Sequence, residues 1–489
     1  MNTRNLIKTL LALFLCMFII LSSYLVYIVG KNGSRWFSSP YNIRIRTQKS
    51  NVVAGSILDR NGIVLAYSDA DNMRQYNSDR SLRLSVAHIV GDNFGQTLGA
   101  EALYAKHLLG FDKDVFEMIK NADSSKSPMG NDCVLTIDAE LCKYAYNQLD
   151  GRDGAIIVMN YKTGEILVST SSPNFDPKKV EKYIAKELEL QDGAMINRTT
   201  SGQYVPGSVF KIVTTVAALR YIRGVENMEF ECTGELLFDK KSGKLLGNSK
   251  EIDKDDLTEE YLTLIDFQGE EHGTVTLKEA FVKSCNSTFA KLALVIGSKN
   301  LYKTAKDLGI GREFLFSDII AYSGSYTESN RDYNLAWSGV GQYKDIVTPI
   351  SMCLLTGAIA NGGVVMEPRL LKFVKTHEGG ITYSATQKPS FTALSKSEAS
   401  LLQEYMLEAV KDGTGRRAAI DGYNVGGKTG TAEVTLNGKN KSHAWFCSFL
   451  DSEEYPFSIT VVVELGGSGG SVAAPIARNI FKKIISSQE

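Results

Sequence analysis

From Thr9 to Val29 the chain reads TLLALFLCMFIILSSYLVYIV, 21 residues without a charge. At about 1.5 Å rise per residue, such a run crosses a hydrocarbon core of roughly 30 Å as one helix. A membrane anchor near the N-terminus is therefore expected. A cleaved signal peptide is the competing reading, but its apolar region runs about 7–15 residues and ends at small residues of the A-x-A kind. The sequence SSYLVYIVGKNGS offers no such end. Arg4 and Lys8 precede the span while Lys31 and Arg35 follow it, so the charge rule leaves its direction open. A short cytoplasmic tail with a large external domain is the simpler topology, because large domains translocate with little regard to charge.

The 489 residues that carry this anchor are too many for one ordinary core, and two or more domains are expected. The chain has 54 basic and 55 acidic residues, for a net charge of -1, which gives no electrostatic footprint for nucleic acid. Its seven cysteines, Cys16, Cys133, Cys142, Cys232, Cys285, Cys353 and Cys447, are scattered without a C-x-x-C pair. No metal site or disulfide framework is legible from that spacing, though a partnership of Cys232 stays open.

The run NVVAGSILDRNGIVLAY, 51–67, alternates about an Asn-Gly turn and reads as a hairpin. Residues 68–120 are mixed, with helical character from Ala100 to Leu109, and the polar NADSSKSPMGND, 121–132, reads as a linker or exposed loop. CVLTIDAELCKYAYNQL follows as a short apolar run and a helix capped by Asp138; GAIIVMNYKTGEILVSTSSP reads as two strands about a turn. Strands return at 424–434, 444–450 and 457–465, and an amphipathic helix at Ala473–Ile485 ends the pattern. Strands at both ends with helices between them describe an α+β plan. The charged stretch 231–272 reads as a surface insertion.

Three short motifs could carry chemistry. In QYVPGSVFKIVTTVAAL, Ser208 and Lys211 stand three apart, on one face of a helix and about 5–6 Å from each other at Cβ. A serine hydroxyl needs a base to become a nucleophile, and a lysine serves only when burial or a nearby charge keeps its amine neutral. The helix N-terminus adds backbone donors for an oxyanion. An N-cap serine with a snorkelling lysine is the bland alternative, and S-x-x-K alone does not exclude it.

In KEAFVKSCNSTFAKLAL, Ser284-Cys285-Asn286 interrupts an apolar helical period, so a loop presenting a hydroxyl and an amide is expected there. In VGGKTGTAEV, 425–434, glycines flank Lys428, Thr429 and Thr431 on a strand that a ligand backbone could approach closely. GYNVGGKT also satisfies the phosphate-loop pattern, but the helix required after it is missing. The chain has five histidines and no G-x-S-x-G elbow at Ser208; His443 reads as an exposed residue ending a strand. A serine–histidine hydrolase is not supported.

S-x-x-K at 208, S-x-N at 284 and K-T-G at 428, in this order, are the trio of penicillin-binding proteins and serine β-lactamases. The sequence resembles a class B penicillin-binding protein, a membrane-anchored peptidoglycan D,D-transpeptidase. GSILDRNGIVLA resembles the membrane-proximal hairpin of that family, NRTTSGQYVPGSVFKI its nucleophile segment, and AWSGVGQ with Thr348-Pro349 and GGKTGTAE its later landmarks. The resemblance implies an anchor over 1–30, a small mixed pedestal and linker region over 31–150, and a transpeptidase domain over 151–489. That domain would have the β-lactamase-like plan, an antiparallel sheet flanked by helices.

It further implies Ser208 as nucleophile, Lys211 as its base, Ser284 as proton relay, and Asn286 as a holder of substrate and Lys211. Lys428, Thr429, Gly430 and Thr431 would bind substrate, with the backbone N–H groups of Ser208 and Thr431 as oxyanion hole. Implied partners are D-Ala-D-Ala stem peptides, β-lactams, the cell membrane and a membrane-bound SEDS-type glycan polymerase, with no cofactor, metal or nucleic acid. Ala54 stands where the family often has arginine, and FDPKK lacks the usual asparagine after Asp-Pro. A D,D-carboxypeptidase, a class D-like β-lactamase or a non-catalytic scaffold could carry the same motifs.

Overall fold

The structure, a computed structural model, describes residues 3–37, 52–111, 129–248, 250–252, 260–314, 316–436 and 438–487. Most of the expected linker, up to residue 128, lies outside the described residues. The apolar run forms the helix Thr3–Phe37. Its most apolar stretch is not buried against any other part of the protein, as a helix facing lipid requires.

The Asn61-Gly62 hairpin forms as expected: Ile57–Leu58 pairs antiparallel with Val64–Ser68. Asp59 fixes it, its buried carboxylate accepting from Asn61 N at 2.9 Å, Ile63 N at 2.8 Å and Ala139 N at 3.0 Å. One side chain thus closes the turn and holds the N-terminus of the helix Ala139–Gln148, which Asp138 caps. The hairpin belongs to a six-stranded sheet. Asp132–Leu135 lies parallel to Ile57–Leu58 and antiparallel to Leu371–Lys375, and Ile381–Ser384 forms the far edge. Arg83 adds a buried bidentate pair to Asp176, at 2.8 and 3.0 Å, in the FDPKK segment.

The second sheet is antiparallel and has the order Val425–Leu436, Lys439–Leu450, Phe457–Val463, Gly154–Asn160, Ile166–Ser172. The sequence-distant strands therefore meet in its middle. Phe457–Val463 and Ile166–Ser172 are buried along their whole length, so both faces are covered. Ala139–Gln148 and Ala473–Ser486 pack together on one face, and the wholly buried Pro349–Ala360 packs on the other. Thr348 caps that last helix with Pro349 at its first position. Beyond it, Lys211–Tyr221, Leu277–Lys283, Asn286–Ile296 and Lys396–Lys411 form a helical body against the Val425–Leu436 strand.

The charged stretch 231–272 is not a detached surface insertion. It forms the strands Glu235–Asp239, Leu245–Asn248 and Tyr261–Ile265, and Leu236, Phe238 and Leu264 bury a small core with Ala290 and Ala336. Apart from the buried Asp266, its charges among the described residues are at least partly solvated, while Leu236, Phe238 and Leu264 face inward, a pattern that a charge count conceals.

Candidate active site

Gly207 has φ 56° and turns the chain into the short 3₁₀ segment Gly207–Phe210, from which Lys211–Tyr221 continues as an α-helix. A Cβ at Gly207 would stand 2.7 Å from Thr431 O and 2.9 Å from Ala432 Cα, so only glycine fits between turn and strand. Gly430 answers from the strand side: a Cβ there would meet Pro206 O, Trp445 Cβ and Val209 Cγ1 at 3.0 Å each. Ser208 is held, half-buried, beside Thr431, while Lys211 points inward and is fully buried.

Lys211 Nζ lies 3.1 Å from Ser208 Oγ, 3.2 Å from Ser284 Oγ, 2.5 Å from Ser284 O and 2.7 Å from Asn286 Oδ1. Two of these oxygens, the Ser284 carbonyl and the Asn286 amide oxygen, can only accept. A neutral amine has two hydrogens for them and one lone pair left, which only a hydroxyl can use. Burial lowers the pKa of Lys211 to about 8, against a smaller opposing pull from Asp266. The geometry therefore suits an amine that takes a proton from Ser208.

Ser284 links the two motif lysines. It sits between the helices Leu277–Lys283 and Asn286–Ile296 at φ 62°, a left-handed conformation uncommon for serine. Its Oγ is 3.2 Å from Lys211 Nζ and accepts from Lys428 Nζ at 2.8 Å. Lys428, on the strand and fully buried, also donates to Thr429 O at 3.3 Å. Burial, with the neighbouring Lys211 charge, holds its pKa well below the usual lysine value. Each lysine Nζ faces an aromatic ring, Phe289 for Lys211 at 5.6 Å and Phe281 for Lys428 at 5.5 Å. Asn286 Nδ2 donates to Ile265 O at 2.9 Å, which fixes its oxygen toward Lys211.

All eight sequence-predicted residues, Ser208, Lys211, Ser284, Asn286, Lys428, Thr429, Gly430 and Thr431, thus converge. Ser208, Ser284, Asn286, Thr429 and Thr431 line one groove of about 580 Å³. Thr429 Oγ1 is 2.7 Å from Thr414 Oγ1, a groove residue the sequence reading did not single out. Asp266 is the other omission. Buried at the end of the Tyr261–Ile265 strand, it accepts from Asn286 N and from Ser287 N, the latter at 3.2 Å, and so holds the first turn of the Asn286 helix. An aspartate closing an alternating run before Phe267-Gln268-Gly269 carried only a turn signal.

The phosphate-loop match fails on geometry, since Lys428 lies within a strand that turns back through Lys439–Leu450. His443 is corrected: it lies inside that second strand, half-buried, its ring edge on Tyr204 and its Nδ1 accepting from Leu465 N at 3.1 Å. Burial depresses its pKa. Among the described residues, Ser208 has a lysine and no histidine as its side-chain partner.

An antiparallel sheet with a helical body, meeting at a groove-lining serine paired with a buried lysine, defines the serine acyl-transferase class shared by penicillin-binding proteins and serine β-lactamases. The sequence model of the penicillin binding protein transpeptidase domain matches residues 154–227 and 242–482, and the chain belongs to that family, as a class B penicillin-binding protein. Stage V sporulation protein D of Bacillus subtilis is 30% identical over 494 residues, covering 93% of this chain and 69% of that protein. Peptidoglycan D,D-transpeptidase PbpA of Mycolicibacterium smegmatis is 28% identical over 377 residues, 73% of this chain and 72% of its own. Among solved structures, the D,D-transpeptidase domain of an Eggerthella lenta peptidoglycan glycosyltransferase superposes with TM-score 0.73 at 27% identity, covering 90% of this chain and 99% of that one. The imipenem acyl-enzyme of Mycobacterium tuberculosis penicillin-binding protein A superposes with TM-score 0.76 at 25% identity, covering 89% of this chain and 100% of that one.

Proposed function

We propose that this protein is a membrane-anchored peptidoglycan D,D-transpeptidase that cross-links stem peptides through an acyl-enzyme on Ser208 and is acylated there by β-lactams. The observation that carries the reading is the buried Lys211 amine, 3.1 Å from Ser208 Oγ and saturated on its other sides by Ser284 and Asn286. Neutral Lys211 takes the Ser208 proton as Oγ attacks the carbonyl of the D-Ala-D-Ala bond. The backbone N–H groups of Ser208 and Thr431 take the oxyanion. The proton on Lys211 passes through the Ser284 hydroxyl to the departing D-alanine nitrogen, the C–N bond breaks, and the ester remains on Ser208. An acceptor amine from a second strand then attacks the ester, gives its proton back along the same path, and releases Ser208.

Lys428 and Thr429 bind the terminal carboxylate of the donor peptide. A carboxylate beside Lys428 supplies the counter-charge that burial otherwise denies it and returns the amine to its charged form. Gly430 and Thr431 present strand backbone to the peptide, and Asn286 holds its amide. The catalytic domain lies on the extracytoplasmic side, where peptidoglycan is, and the anchor is single-pass. A membrane-bound SEDS-type glycan polymerase as partner rests on the family resemblance and on an anchor helix not buried against its own chain.

Labelling of the full-length protein with a fluorescent penicillin tests the reading. Wild type is expected to label stably and Ser208→Ala not at all. Label surviving the substitution would sink the mechanism; rapid release from wild type would favour a β-lactamase. Incubation with stem peptide and an acceptor amine separates cross-linked product from the carboxypeptidase product formed with water.

A further inference from the structure

Four donor side chains that take no part in the acyl transfer converge directly behind the Ser284–Asn286 loop. Cys232 ends the strand Glu229–Cys232, Asp266 follows Tyr261–Ile265, His272 precedes the strand Gly273–Thr276, and Cys285 sits between Ser284 and Asn286. One ligand atom from each lies within 4.8 Å of the other three, and no other such group of three or more occurs among the described residues. Cys232 Sγ is 3.3 Å from His272 Nδ1 and 3.3 Å from Asp266 Oδ2, and Cys285 Sγ is 3.9 Å from that same oxygen. Tetrahedral zinc, with bonds of about 2.3 Å to sulfur and about 2.0–2.1 Å to nitrogen or oxygen, holds its ligand atoms roughly 3.3–3.8 Å apart. The two Cys232 separations match that spacing, and the Cys285–Asp266 separation of 3.9 Å exceeds it only slightly.

The surroundings are those of a metal centre. Cys232, Asp266 and Cys285 are buried, and the His272 side chain is 5% exposed. Thr288 N donates to Cys285 Sγ at 3.3 Å, and its hydroxyl lies 3.2 Å from the same sulfur, as suits a thiolate. Glu270 Oε2 stands 3.9 Å from His272 Nε2, on the far side of the ring from the cluster. Asp266 accepts from Asn286 N and from the Ser287 N–H and hydroxyl, and a cation on its free lone pair would satisfy the two sulfurs as thiolates together with the imidazole.

We propose that Cys232, Asp266, His272 and Cys285 bind one thiophilic divalent cation of the zinc class, and that this ion clamps the Ser284–Asn286 loop to the groove wall. Four protein ligands close the coordination shell, so the ion is a positioning device and no catalyst. Its reach to the chemistry is short. Asp266 also holds Asn286 N, and Cys285 lies between two residues that touch Lys211. Binding releases the two thiol protons to solvent, leaving both sulfurs as ligands. The scattered cysteine spacing hides the site because its ligands come from four separate elements.

The test uses the full-length protein in detergent, from cells grown with added zinc. Elemental analysis is expected to find about one zinc per chain in wild type and in Ser208→Ala, and at least about tenfold less in Cys232→Ser and His272→Gln. Chelated protein refilled with cobalt(II) should show thiolate-to-cobalt charge-transfer absorption, a signature that needs no variant to fold. Zinc-free wild type should label with penicillin about tenfold more slowly and recover on zinc addition. Wild type with neither zinc nor the cobalt band, or zinc retained in both variants, overturns the site. An unchanged labelling rate without zinc overturns the clamp. Ser208→Ala keeps the ion while losing the label, so failure of the metal site and failure of the acylation chemistry are distinguishable.

Discussion

The two walls of the groove are built on opposite principles. One is the strand Val425–Leu436, paired residue by residue with Lys439–Leu450 over its whole length. Its backbone is satisfied by an adjacent segment, and its side chains follow the two-residue period. The other wall, from Glu229 to Thr276, consists of short strands whose inner edge is fixed by polar side chains, Asp266 above all. The family match skips residues 228–241, where that second wall begins. A regular ladder can present Lys428 and Thr429 with little outside help. The opposite wall depends on a few buried polar contacts, and should fail when one is removed.

The comparison can be broken in order of effect. Lys211→Ala, which removes the base that both walls serve, should slow penicillin acylation roughly 10²–10⁴-fold, read by stopped labelling time courses. Asp266→Ala strips the partners of Asn286 N and Ser287 N, leaving buried donors unpaired at about 1–3 kcal/mol each and slowing acylation by about 10²-fold. A thermal melt with the same labelling assay measures both. An acylation rate equal to wild type would mean that the second wall is as self-supporting as the first.

Gly430→Ala probes the ladder instead. A methyl 3.0 Å from Pro206 O must push strand and turn apart by a few tenths of an ångström, for a loss of about tenfold in acylation with little change in melting temperature. The pH profile concerns the shared centre. Below the Lys211 pKa of about 8 the amine is protonated and has no lone pair, so the acylation rate should fall about tenfold per pH unit and level off above it. Lys278→Ala breaks only an exposed pair with Glu404 and should alter labelling less than about twofold and stability by about 0–1 kcal/mol.

What the sequence disclosed follows the same division. The anchor, the Asn61-Gly62 hairpin, the strands on either side of the helical middle and the terminal helix each announce themselves within a few residues, through period, turn chemistry or length. The three motifs were legible as a set because each has a local reason, such as the glycines around Lys428, and their meeting at Lys211 needed only the expected plan. Asp266, Thr414 and the inward face of 231–272 carry no local mark, since their partners are more than a dozen residues away. His443 was misread because a polar residue inside a strand looks like its end when the packing of Tyr204 is unseen. The pairing of Asp132–Leu135 with Leu371–Lys375 bridges about half of the chain and has no periodic signature.

That last pairing governs where the protein can be cut. A fragment beginning after residue 150 would keep Leu371–Lys375 but lose the strand Asp132–Leu135 beside it, exposing a raw sheet edge together with the side of Ile166–Ser172 that Ala139–Gln148 covers. Open edges of this kind recruit other chains and promote aggregation. Severing the chain just beyond the membrane helix, before Val52, leaves every strand of that sheet its neighbour. The strand Asp132–Leu135 and the helix Ala139–Gln148 thus stitch the hairpin sheet to the catalytic one.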